Sequence, residues 1–154
     1  MKYILFYAIV AVILAAFIAV LIFKRPDLRH YVIVVSSIAY AFAFDVIFGL
    51  WAKLYYYLDY SNNALYIALS AIFLYTALNM VYVIFLPKKK VALYTIVWIA
   101  AMLAFEYFTV ITEIIVFTGW KPIPWSPLTY IVTYIWIYYF YRYLSRRISH
   151  PYCD

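Results

Sequence analysis

The chain has 154 residues, of which 71% are apolar, 24% aromatic and 12% charged, with a mean hydropathy of +0.96. Soluble domains average roughly 45–50% apolar and 25% charged, so a water-soluble globule is excluded and the composition is that of a polytopic membrane protein. The net charge of +6 is not gathered on a soluble basic element, which excludes a nucleic-acid partner.

The chain reads as a single all-α domain, residues 1–154, with five transmembrane helices. About 20 residues at 1.5 Å rise cross the roughly 30 Å hydrocarbon layer. The first span is predicted from about Tyr3 to Phe23, closing at Lys24-Arg25-Pro26. Its length exceeds the roughly 7–15 residues of a signal-peptide core, no A-x-A site follows, and its charge trails rather than leads. A retained span is therefore expected. The second runs from Tyr31 to about Ala52, with Ser37, Ala41 and Asp45 on one face.

Between the second and third spans, Lys53 to Tyr60 form an aromatic patch suited to the headgroup layer, or to a lid over a cavity. The third span, Ala64 to Leu86, carries Ser70, Thr76 and Asn79. The fourth, Val91 to about Thr118, carries Thr95, Ile99, Met102, Glu106, Thr109 and Glu113 at alternating spacings of four and three, a semi-polar stripe on one helical face. Gly119 to Pro127 is a proline-stiffened loop containing Trp120 and Trp125, again an interfacial anchor or a lid. Pro127 is placed to open the fifth helix at its first position. That helix, to about Leu144, bears the hydroxyl ladder Tyr130, Tyr134, Tyr138 and Tyr141.

Charge alternates from loop to loop. Nine lysines and arginines follow the first, third and fifth spans, and three (Lys2, Lys53 and Lys121) lie on the opposite side. The positive-inside rule then puts the N-terminus outside and the C-terminus in the cytoplasm of a multi-pass cell-membrane protein.

Three of the six acids, Asp45, Glu106 and Glu113, fall inside apolar segments. An ionisable group at mid-membrane costs about 2.5–3.5 kcal/mol on insertion scales and faces a partner helix or a wet cavity. Counted from the cytoplasmic side, Asp45 lies roughly 21 Å into its span and Glu106 roughly 22 Å, one shared layer in the outer half of the membrane. Glu113 lies two turns further out on the face of Glu106. No lysine or arginine sits at depth to neutralise these acids, so Asp45 and Glu106 are expected to line an acidic pocket, with Thr109, Asn79, Tyr134 and Tyr138 as polar neighbours.

Much chemistry is absent. No phosphate-binding loop, nucleophile elbow, zinc-protease or dinucleotide motif occurs. His30 and His150 lie outside the spans, which removes a buried bis-histidine haem, and one cysteine, Cys153, cannot form an internal disulfide. No cofactor is expected, and the residues name no metal. The leading expectation is binding or translocation of a small cation or polar solute. Two alternatives stand beside it: an accessory protein whose acids clamp helices together, and an enzyme using Asp45 and Glu106 on a lipid-soluble substrate. With five helices and no repeat, a transport pathway would require a homo-oligomer or another membrane protein as partner.

Asp45, Gly49 and the aromatic exit after them, Glu106, Gly119 and Trp125-Ser126 before an aromatic last helix together resemble an uncharacterised family of small multi-span integral membrane proteins common in spore-forming Firmicutes. The resemblance covers roughly residues 31–144. It implies a multi-span membrane protein and adds no mechanism.

Overall fold

A computed structural model describes residues 1–148; His150 and Cys153 lie outside the described residues. The described residues form five helices: α1 (Lys2–Lys24), α2 (Leu28–Trp51), α3 (Asn63–Ile84), α4 (Val91–Ile111) and α5 (Pro122–Arg147). The first four are long and apolar enough to cross a membrane. The tyrosine-rich α5, although 26 residues long, is not among them. Two short strands complete the fold, β1 (Tyr55–Tyr57) and β2 (Ile115–Phe117).

Local chemistry sets most of the ends. At the end of α1, Arg25 takes a left-handed conformation with its N–H on the Leu21 carbonyl at 3.1 Å, and Pro26 cannot continue the helix. Asp27 caps α2, accepting the Arg29 N–H at 3.0 Å and meeting His30 Nδ1 at 2.7 Å and the Arg29 guanidinium. Partial burial raises its carboxyl, but the bonds from Arg29 and His30 outweigh that and hold it lowered to about 2.

The sequence places residues 112–118 in the fourth span, and here the structure corrects it. Helix α4 stops at Ile111, and Glu113 adopts φ 57°. The Glu113 and Ile114 N–H groups turn back to the Val110 and Thr109 carbonyls at 3.0 and 2.9 Å. The chain then enters β2, which pairs antiparallel with β1 in the register Tyr55↔Phe117, Tyr56↔Val116 and Tyr57↔Ile115. Val and Ile around 114–117 suit either a helix or a strand, and the partner strand decides. Glu113 is therefore exposed at a helix end, not on the stripe of Glu106. A second correction concerns the start of α5. It begins at Pro122, breaks at Ile123 beside the cis Ile123–Pro124 bond, and resumes at Pro124 with Pro127 as the fourth residue after the break. Proline is tolerated there because the first four N–H groups of a helix have no internal acceptor.

Helix α3 is the most enclosed, with 56% of its apolar window buried against 11% for α1 and 6% for α4. It contacts α1, α2 and α5, while α5 also packs on α2 and α4. Large apolar side chains on α1 and α4, such as Ile4 at 77% and Ile96 at 64% exposure, point away from the bundle. Two buried clusters hold the fold. One joins β1, β2, α1 and the start of α3 through Phe6, Tyr57, Tyr66, Ile67 and Ile115. The other fills the space among α2 to α5 around Ile33, Tyr82, Met102, Tyr134 and Ile137.

Two helices change pitch near the strands. The last six residues of α2, Val46–Trp51, and a segment of α3, Ser70–Tyr75, form π-helical turns, a form often found at functional sites. The first begins directly after Asp45 and the second ends at Tyr75.

Candidate functional site

A cavity of about 100 Å³ lies beneath the two strands, among α2, α3, α4 and α5. Asp45 and Glu106 both line it. Asp45 lies six residues before the end of α2 and Glu106 five before the end of α4, so each is about 7–9 Å below its helix terminus. The two acids thus occupy one level of the bundle, at the end that carries the strands.

Asp45 is 5% exposed. Its Oδ1 accepts the Tyr55 hydroxyl at 2.5 Å, whereas Oδ2 is buried with no hydrogen-bond partner among the described residues. A buried, unpaired carboxylate oxygen is costly and native folds rarely leave one without a purpose. Glu106 is partly buried; its Oε1 accepts the Ser126 hydroxyl, and Ser126 Oγ in turn accepts the Trp120 indole N–H at 3.0 Å. Tyr130 is a further hydroxyl neighbour of Glu106.

Strand β1 supplies the donor to Asp45, the Tyr55 hydroxyl. Alternate residues of a strand face opposite sides, so Tyr55 and Tyr57 turn inward, 6% and 3% exposed, while Tyr56 turns away and packs edge-on against Tyr60 at 5.7 Å. Interfacial anchoring, expected of the whole Lys53–Tyr60 patch, is thus overturned for Tyr55 and Tyr57 by their burial. Asn63 fixes β1, accepting the Tyr57 N–H at 2.9 Å. Gly49 lets the strand close down on α2, because a Cβ there would lie 3.0 Å from Ile67 Cδ1 and 3.2 Å from Tyr55 Cε2. Burial, and then the Asp45 charge, push the Tyr55 and Tyr57 phenols far above their usual value, so both remain hydroxyl donors at physiological pH. The Tyr57 and Tyr75 hydroxyls meet at 3.3 Å.

The other residues singled out from sequence are scattered around this centre. Asn79, 6% exposed, and Tyr134, 1% exposed, line the cavity. Thr109 turns back to its own helix, donating to the Glu106 carbonyl at 2.8 Å, and faces a separate small void beside Phe6. Tyr138 lies away from the cavity, accepting Arg142 Nη1 at 3.1 Å. Glu113 is outside it as well. Gly119, Trp120 and Trp125 border a second, larger groove, and only Trp120 also lines the acidic cavity. Trp120 is held by its backbone: the Leu54 carbonyl accepts the N–H groups of Thr118, Gly119 and Trp120 at 2.9–3.0 Å.

The sequence reading missed Tyr55 and Ser126 as partners of the acids. Tyr55 comes from β1 and Ser126 from the start of α5, 10 and 20 residues from their acids, and no helical spacing announces such a contact. Among the described residues no three His, Cys, Asp or Glu side chains gather to hold a metal ion. The cavity instead offers two carboxylates inside aromatic walls, with no lysine, arginine or histidine on its lining. That chemistry suits a single positive charge with apolar substituents, which aromatic faces also attract.

The chain matches no protein-family model, no curated protein and no solved structure.

Proposed function

We propose that this is a five-span protein of the cell membrane, N-terminus outside and C-terminus cytoplasmic, that binds or passes a small cation or polar solute at the Asp45–Glu106 cavity. The observation that carries the reading is the buried, unpartnered Asp45 Oδ2 in a cavity shared with Glu106. The loop charges support the orientation, because Lys24, Arg25, Arg29 and Lys88 to Lys90 all lie at the end of the bundle away from the strands. On that orientation the cavity sits in the outer half of the membrane. The resemblance to small multi-span proteins of Firmicutes is proposed on the same residues.

Titrating the protein in lipid nanodiscs with sodium, potassium and tetramethylammonium tests this reading. Saturable binding of at least one is expected, weakened about tenfold or more by Asp45→Asn, which keeps the shape and removes the charge. The reading fails if none of the three binds saturably, or if folded Asp45→Asn binds as the wild type does.

A second reading rests on a different observation. Tyr55 donates to Asp45 and Ser126 to Glu106, so Asp45 also ties β1 to α2 and Glu106 ties the start of α5 to α4. If the acids serve only as clamps, Asp45→Asn and Glu106→Gln lower the melting temperature while the wild type binds none of the cations.

A further inference from the structure

Beside the acidic cavity runs a groove of about 390 Å³ between α2, α5 and the segment after β2. The two spaces adjoin, because Tyr40, Phe44, Trp120 and Thr129 line both. Beyond those shared residues the groove is bordered by Phe48, Leu54, Gly119, Trp125, Leu128 and Val132, none of which carries charge. It opens on the side of the bundle, where Leu128 is 48% and Val132 52% exposed. The small space therefore holds the charges, and the large one beside it is greasy and open sideways.

Resting on the cation-site reading above, we propose that the ligand is a cationic amphiphile, with its ammonium head beside Asp45 and Glu106 and its alkyl chain in the groove between α2 and α5. The head space has room for only several water molecules' worth of ligand, so the bulk of a larger molecule must lie elsewhere. The aromatic rings around it suit a substituted ammonium. Phe44 and Tyr55 line it together with Trp120, their ring centres each 5.9 Å from that of Trp120, and aromatic faces attract such cations; Phe48 and Trp125 continue the aromatic wall into the groove.

Charge selects among amphiphiles. Neither space has a lysine, arginine or histidine on its lining, so a phosphate-bearing or carboxylate lipid would set its anion against two acids with nothing to balance it. In a bilayer the chain gains little contact energy over lipid. The groove instead gives the head a lateral route from the membrane, where an amphiphile is already concentrated. Trp120 stands where head and chain would meet. Its indole N–H reaches Glu106 through Ser126, so the wall between the two spaces is tied to the acid that receives the charge.

The test uses the full chain in nanodiscs with three single-chain probes brominated in a dodecyl tail: a trimethylammonium, a zwitterionic and a sulfate amphiphile, compared at equal membrane density. Bromines in bulk lipid quench exposed tryptophans such as Trp125, 50% exposed, alike for the three probes and without saturation, whereas a chain held in the groove adds a saturable component at Trp120 and Trp125, which border it. Saturable quenching by the ammonium probe alone is expected. Asp45→Asn should weaken it about tenfold, and so should Val132→Phe or Leu128→Phe, each filling the groove, while tetramethylammonium still binds both groove variants and so reports that they fold. The inference is overturned if the three probes show the saturable component alike, which would make the groove a seat for any lipid chain. It is also overturned if groove filling leaves ammonium-probe binding unchanged, or if only alkali cations bind; in either case the cation site stands. Failure of every cation to bind defeats the underlying reading as well.

Discussion

Asp45 keeps one oxygen satisfied and the other without a partner among the described residues, and the residue that arranges this is one with no side chain. Gly49 lies within van der Waals reach of both Tyr55 and Ile67, so Tyr55 can settle over α2 with its hydroxyl on Asp45. A methyl group at position 49 pushes on both, and they must give by a few tenths of an ångström. Gly49→Ala is expected to cost about 1–3 kcal/mol through overpacking and to weaken cation binding as Tyr55 leaves its acid. Adding Ile67→Val, which deletes the Cδ1 atom 3.0 Å from the new methyl, should restore part of both losses. Thermal melts and cation titrations of the single and double variants check this; a double variant no better than Gly49→Ala would mean that the crowding does not act through Ile67. Asp45, Glu106 and their common level are legible from the apolar pattern alone. The tyrosine among Tyr55, Tyr56 and Tyr57 that meets Asp45 is not, because three identical residues hide the alternation that turns two inward and one away.

Among the elements, the end of α4 separates the sequence reading from the structure most sharply. Spacing alone continues the helical stripe from Glu106 to Glu113, whereas the chain leaves the helix at Ile111 with Glu113 at φ 57°. A left-handed conformation costs an L-residue roughly 1–2 kcal/mol and glycine almost nothing. Glu113→Gly is therefore expected to raise the melting stability by about 1 kcal/mol. Inside a continuous helix the same change would lower it by a similar amount, so the sign of the shift in a melting experiment decides between the two. Other helix ends are legible in the sequence because their causes are local: Arg25-Pro26 after α1, the Asp27 cap before α2, and the lysine run before α4. The β1–β2 pair is illegible for the opposite reason. Its register joins Tyr55 to Phe117, and neither segment carries a signal that names the other.

For the molecule as a whole, the alternating loop charges and the position of the cavity make one connected claim. If the strands lie outside, the cavity and groove face the outer leaflet and the lysine-rich loops face the cytoplasm. Cysteine reporters in a Cys153→Ser background test this in intact cells with a membrane-impermeant thiol reagent. Lys121→Cys should label from outside, whereas Lys88→Cys and Arg146→Cys should label only after permeabilisation. External labelling of Lys88→Cys together with protection of Lys121→Cys would invert the molecule. Labelling of Lys121→Cys and Arg146→Cys from the same side would mean that α5, the tyrosine-rich helix, does not cross. Such a result would place the groove between α2 and α5 at the membrane surface rather than within it.

Composition and pattern alone predict an all-helical chain of five spans, of which the structure shows four helices of membrane-crossing length and apolarity, and they anticipate most helix ends and a shared level for two acids. Each follows from residues close together in sequence, where periodicity, proline, charge runs and caps act directly on the backbone. Tertiary structure decided what those acids meet. Tyr55 reaches Asp45 because a strand folds over the end of the bundle and Gly49 leaves room for it. Ser126 reaches Glu106 from the first turn of another helix, and Trp120 becomes a wall shared by two spaces because the Leu54 carbonyl gathers its loop. These contacts depend on how separate segments pack, and a one-dimensional pattern carries the depth of a buried charge without its partners.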